Sequence, residues 1–172
     1  TRKSTLERKD IRPTPAAGEP KYRFNWNTPI HLSRANPGTM YYGAQFLFRT
    51  RDMGESWERI SPDLTTNDPK RQRQDESGGL TLDNSTAENN ATIYAISESP
   101  KNPRIIWVGT DDGNVQVTRD SGKTWTNVVK NVQGVPPNTW VSSVEAGHFD
   151  EGTAYVTFDR HMDGDMKPYV YR

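Results

Sequence analysis

"TRDMGESW" at residues 50–57 returns, nearly letter for letter, as "TRDSGKTW" at residues 118–125. The shared pattern is Thr-Arg-Asp-x-Gly-x-(Ser/Thr)-Trp, and its fixed positions suit a tight turn between two strands. Asp52 and Asp120 carry short carboxylates that can accept hydrogen bonds from backbone N–H groups just downstream. Gly54 and Gly122 take positive φ without steric cost. Thr50, Thr118, Ser56 and Thr124 supply hydroxyls that close the loop. Trp57 and Trp125 are expected to begin the next strand and bury a large ring under the turn, each worth about 2–3 kcal/mol of apolar burial. The phrase reads as a structural device.

The likeness extends upstream of the phrase. Residues 33–60 run parallel to residues 97–128: an apolar strand, an Asn-Pro turn, an aromatic strand ending in Gly43 or Gly109, a hairpin, a third strand, the phrase, and a fourth strand. Four short strands per repeated unit is the make-up of one β-propeller blade. A third unit begins at residue 138, in which Tyr155-Val156 match Trp107-Val108, and "YVYR" at 169–172 matches "VQVT" or "FLFR". A third Asp-x-Gly-x-Thr-Trp would come next in the pattern, so the sequence reads as ending inside a blade. No stretch carries a 3.6-residue period, whereas aromatic and β-branched runs alternate with Gly, Pro, Asn and Asp. The expected fold is all-β: about two and a half four-stranded antiparallel blades, with a ring this chain does not close. The divisions are an extended N-terminal arm at 1–21, a blade at 22–60, a hydrophilic insertion on one rim at 61–90, a blade at 91–130 and an incomplete blade at 138–172. "GGLTLD" within the insertion could add a short strand.

Composition sets outer bounds. The chain has 172 residues, of which 31% are hydrophobic, so a thin core is expected. Lys and Arg number 22 against 22 Asp and Glu, with no long single-sign block. That balance argues against nucleic acid or an anionic membrane as the main partner. Without cysteine there is no disulfide framework, thiolate nucleophile or Cys-ligated zinc. No apolar run approaches the ~18 residues of a membrane-spanning helix, and no leader-like segment opens the chain. Asn84 and Asn90 stand in short glycosylation sequons, which arise often by chance.

The phrase resembles the Asp box of the BNR-repeat β-propellers, a group that includes sialidases, sortilin-type Vps10 domains, photosystem II assembly factors and certain xyloglucanases. Residues 22–68, 91–128 and 152–172 look most like the large bacterial sortilin-like BNR proteins often labelled glycosyl hydrolases. The resemblance implies a propeller, an extracytoplasmic bacterial setting, and Asp boxes on the outer part of the blades, away from the central axis where ligands usually bind. It does not fix the chemistry.

Candidate sites are weighed against plain structural roles. A sialidase-like site, as the family implies it, needs an arginine cluster, a Tyr–Glu pair and an acid. Arg49, Arg51, Arg104 and Arg119 are present, but Arg51 and Arg119 lie inside the phrase and the Phe/Tyr-Arg-Ile-Pro signature is absent. Asp111 and Asp112 are the tempting pair for glycoside hydrolysis. Their Asp-Gly hairpin setting favours a turn, and neighbouring residues point apart. Asp159, His161, Asp163 and Asp165 could attract a divalent cation, yet they lack the spacing of a calcium loop and read as a solvated hairpin tip. His31 and His148 suggest strand packing and an inter-strand turn. Trp26, Tyr41, Tyr42, Trp107, Trp140, Tyr155, Tyr169 and Tyr171 are expected mainly in the blade core, with any exposed ones marking a binding face.

The reading that follows is a non-enzymatic interaction or scaffold module without catalytic residues, metal or cofactor. Its partner would be another protein or the remaining blades of a parent propeller, with a glycan admitted as ligand. The alternative is a piece of a carbohydrate-active enzyme.

Overall fold

The computed structural model describes residues 4–73 and 89–172. It is an all-β chain of three antiparallel sheets whose ring is not closed. The first sheet comprises β1 (Ile30–Leu32), β2 (Met40–Gly43), β3 (Leu47–Thr50) and β4 (Glu58–Arg59), and the second β5 (Ile93–Glu98), β6 (Ile106–Thr110), β7 (Val115–Thr118) and β8 (Thr126–Asn127). The third has β9 (Trp140–Ala146), β10 (Ala154–Arg160) and β11 (Asp165–Tyr171). Within each sheet, strands neighbour one another in chain order. Short 3-10 turns at Pro69–Gln72, Val129–Asn131 and His161–Asp163 are the helical elements among the described residues. No described helix is long and apolar enough to cross a membrane.

Pairing registers fix which residues correspond between blades. Tyr42 lies opposite Ile30 and Phe48, Val108 opposite Ile96 and Gln116, and Val156 opposite Val144 and Tyr171. Tyr171 therefore stands where Phe48 and Gln116 stand, which selects the match of "YVYR" to "FLFR" and rejects the match to "VQVT". The two alternatives differ by one residue, and in a strand one residue exchanges the two faces.

The core lies between successive sheets. Tyr41, Leu47 and Ile60 of the first sheet and its flank meet Ile93, Ile96, Ile106 and Val108 of the second. Trp107, Val115 and Val117 of the second meet Val141, Val144, Val156 and Phe158 of the third. Glycine sets the close approach. A Cβ on Gly43 would lie 2.8 Å from Ile93 Cγ2, and one on Gly109 would lie 2.3 Å from Val141 Cγ1. Gly43 is the last residue of β2 and Gly109 the last but one of β6, and each lets the first strand of the next blade nest against it. At the corresponding place in the third blade stands Thr157, whose hydroxyl is 2.9 Å from that of Ser142.

The described start of the 61–90 segment differs from the expected rim insertion. Ser61, Leu64 and Thr65 are buried, and Leu64 joins the core between the first two blades. Its N–H donates to Gln45 O at 3.0 Å, and its carbonyl accepts from Asn114 Nδ2 and Gln116 Nε2. A buried apolar side chain amid polar neighbours was overlooked because the stretch reads as hydrophilic on average. "GGLTLD" and the Asn84 sequon lie outside the described residues.

Replacing Gly109 by alanine is expected to destabilise the chain by about 1–3 kcal/mol through overpacking against Val141. Urea unfolding midpoints would show this. The double variant Gly109→Ala/Val141→Ala should recover part of the loss, because the clash is with that side chain.

Candidate functional site

Both repeated turns are built by the same hydrogen bonds. Thr50 Oγ1 donates to Asp52 Oδ1 at 2.7 Å, and Gly54 N donates to Thr50 Oγ1 at 2.9 Å. Ser56 donates its N–H at 2.9 Å and its hydroxyl at 2.5 Å to the Asp52 carboxylate. In the second turn Thr118, Asp120, Gly122 and Thr124 make the same bonds at 2.8, 2.9, 2.9 and 2.6 Å. Donors converging on a carboxylate favour its charged form. The Ser56 hydroxyl and N–H thus hold Asp52 well below the usual range, and the Thr124 hydroxyl and N–H hold Asp120 at about 2. Two consecutive residues in each turn take positive φ: Met53 at 60° and Gly54 at 93°, Ser121 at 64° and Gly122 at 96°. The sequence revealed the glycine and missed its partner.

Trp57 and Trp125 are partly buried, immediately before β4 and β8. Each indole N–H reaches away from its own blade, while the Trp57 ring also meets Tyr42 of its own sheet. Trp125 Nε1 donates to Ile60 O at 3.0 Å, at the end of the preceding blade, and Trp57 Nε1 donates to Ile11 O at 2.6 Å, in the N-terminal arm. The glycines follow suit, since a Cβ on Gly122 would meet Ile60 and one on Gly54 would meet Ile11. "DIRP" at 10–13 is thus placed on the first blade as "RISP" at 59–62 is on the second. The arm carries no strand in its described part, and its Ile11 does the work of a blade end.

The tempting carboxylates are occupied. Asp111 accepts Thr92 N at 2.8 Å, Thr92 Oγ1 at 2.5 Å and Asn25 Nδ2 at 3.1 Å. Asp112, fully buried, accepts Thr66 N at 2.7 Å, Thr66 Oγ1 at 2.6 Å and Thr110 Oγ1 at 2.6 Å. They fasten the β6–β7 hairpin to two other parts of the chain. Burial raises Asp111 to about 6 against the pull of the Thr92 bonds. Arg49 and Arg51 both approach Glu58, at 2.8 and 3.7 Å. Arg104 gives its carbonyl to Ser121 N, and Arg119 is exposed.

At the 159–167 tip the acidic groups go separate ways. Asp159 bonds His161, Asp163 pairs with Arg160, and Asp165 accepts the Tyr169 hydroxyl at 2.7 Å. Among the described residues no three His, Asp or Glu side chains converge as metal ligands would. His148 pairs with Glu145 at 2.8 Å. His31 is pushed by burial toward its neutral form, and its Nε2 accepts Glu98 N at 3.3 Å.

The aromatics divide. Tyr41 and Trp107 are core, at 3% and 8% exposure, whereas Trp26 and Tyr155 are exposed. Rings of the second and third blades meet where their first strands begin, and the segment before β1 reaches them through Asn27. Trp26 stands exposed before β1, and the adjacent Asn27 Nδ2 donates to Tyr94 Oη at 3.3 Å. Tyr94 meets Trp140 edge-on with ring centroids 4.6 Å apart, and Trp140 meets His161 at 6.2 Å. Trp140 Nε1 is buried without a hydrogen-bond partner among the described residues. Trp26, Trp140 and His161 stand out in the sequence singly, and Tyr94 does not. The signal that marks Tyr94 is an aromatic at the start of an inner strand, second in β5 as Trp140 is first in β9.

No family model and no curated protein matches the chain. Among solved structures, an ancestral GH74 enzyme superposes with a TM-score of 0.53 at 12% identity, over 81% of this chain and 14% of that one. The GH74 xyloglucanase from Xanthomonas campestris gives 0.49 at 14% identity, over 84% and 20%. This chain therefore spans a small fraction of the length of either, and the first likeness is one of fold.

Asp111 sets a pH signature. The folded carboxyl keeps its proton up to about pH 6, whereas the unfolded one releases it near 3.9. The folded state binds more protons between these values, so stability falls as pH rises from about 4 to 6, by roughly 2–3 kcal/mol. Unfolding measured across this window should show the decline, and Asp111→Asn should flatten it.

Proposed function

We propose that the chain supplies blades of an Asp-box β-propeller of the carbohydrate-active kind, forming glycan-contacting wall and no catalytic pair. The observation that carries the reading is the ring group Tyr94, Trp140 and His161, with the exposed Trp26 next in sequence to Asn27, which bonds Tyr94. Flat rings with polar neighbours suit the apolar faces and hydroxyl rims of sugars. The carboxylates best placed for acid–base work, Asp111 and Asp112, are spent on internal hydrogen bonds. The fold likeness to a GH74 enzyme points toward the same ligand class, and the repeated turn toward the Asp-box family. An extracytoplasmic setting goes with this reading.

A second reading, a protein-binding scaffold, is favoured by one observation. Ile30 and Leu32, on the same face of β1, are 58% and 62% exposed, although their counterparts in β5, Ile96 and Glu98, are buried against the first blade. Such uncovered positions suit a protein partner.

The test is titration calorimetry of the full chain against a panel of soluble polysaccharides, xyloglucan included, alongside an assay for released reducing ends. The expected outcome is binding without hydrolysis, weakened about tenfold or more by Trp26→Ala. Hydrolysis would overturn the non-catalytic assignment. Absence of binding across the panel would leave the scaffold reading.

A further inference from the structure

Between the second and third blades lies a cavity of about 500 Å³ whose lining includes Trp107, Val115, Val128, Val132, Ala154 and Val156. By register and by distance from the repeated turn, these six correspond one for one to Tyr41, Leu47, Ile60, Leu64, Ile106 and Val108. Those six belong to the core between the first and second blades, and Trp125 packs against it. The same wall is thus built twice, with an indole against the first copy.

The backbone around the cavity repeats the arrangement too. Trp125 immediately precedes β8, which pairs with β7 through Gln116–Asn127 and Val117–Thr126. In the third sheet β11 is the edge strand, and Tyr171 and Arg172 stand at the places of Gln116 and Val117. The carbonyl that would meet the indole N–H is that of Val128, the counterpart of Ile60. It accepts Asn131 N at 2.9 Å, and a carbonyl oxygen has a second lone pair for another donor.

We propose that this cavity is a receptor for the tryptophan of an Asp-box strand, a segment of the pattern (Ser/Thr)-x-Asp-x-Gly-x-(Ser/Thr)-Trp. The strand adds to the free edge of β11 while its indole enters between Val128, Trp107 and Ala154. Edge pairing supplies the backbone hydrogen bonds, and the pocket for a single large side chain supplies the selectivity. The occupant follows from the first interface, where this geometry holds a tryptophan. The inference does not depend on glycan binding.

The probe is a fluorescein-labelled peptide, TRDSGKTWTNV, identical to residues 118–128, titrated with the full chain. A second arm extends the chain after Arg172 by the same eleven residues, so that a weakly folding peptide does not hide the effect. Expected are saturable binding weakened about tenfold or more when the peptide carries Trp125→Ala, and a melting temperature about 5 °C higher for the extended chain. That gain should disappear when the added tryptophan is alanine. Ala154→Phe, which fills the cavity from within, should abolish both effects with the circular dichroism spectrum retained. Equal behaviour of the tryptophan and alanine versions in both arms overturns the proposal. So does a concentration-dependent dimer in sedimentation that neither peptide nor extension dissociates, since the cavity would then belong to a second copy.

Discussion

An indole N–H placed on the carbonyl of the preceding unit is the contact that joins local structure to architecture in this chain. The Asp-centred hydrogen bonds freeze a turn; the frozen turn aims a tryptophan; the tryptophan reaches Ile60 from the second blade and Ile11 from the first. One such hydrogen bond contributes only about 0.5–1.5 kcal/mol net. Its importance is directional, because it fixes how one sheet stands on the next across the apolar faces between them. Ile11 also explains why an arm without regular structure keeps a defined place, since it presents the same side chain and carbonyl that a true blade end would.

The two interfaces share this contact and differ elsewhere. The first has a polar clasp: Tyr41 and Ser33 both donate to the buried Glu98 carboxylate at 2.7 Å, and His31 receives the Glu98 N–H. Burial and the bond to Glu98 push the Tyr41 phenol well above its ordinary value, so it remains a donor. In the second interface Trp107 replaces Tyr41 and Ala146 replaces Glu98. The Trp107 Nε1 is left buried without a partner among the described residues, whereas Ser97 still accepts Ala146 N at 3.0 Å, as His31 accepts Glu98 N. One pair of substitutions has exchanged a hydrogen-bonded seam for an apolar one, and a stranded donor records the change.

Much of this was legible in the residues. The repeated phrase gave the turn and its members, and the spacing upstream gave strand number and order. A turn whose bonds lie within eight residues can be read from eight residues. The partners of Trp57 and Trp125 could not, because Ile11 and Ile60 are 46 and 65 positions away and nothing local marks them. Leu64 hid inside a polar stretch for the same reason: its burial is a property of Gln45, Asn114 and Gln116 around it. The aromatic group was half visible. Its rings were recognisable as types, but the meeting of Tyr94 with Trp140 depends on how the sheets stack, which no single strand encodes.

Thr157 carries a geometric consequence. Where Gly43 and Gly109 leave room for a neighbour's inner strand, this threonine fills the hollow with a side chain tied to Ser142. A sheet laid against that face must stand off by the thickness of a methyl and a hydroxyl. The contacts at Gly43 and Gly109 set a tight spacing between the described blades, and a further sheet placed on the Thr157 face would meet a notch in that spacing.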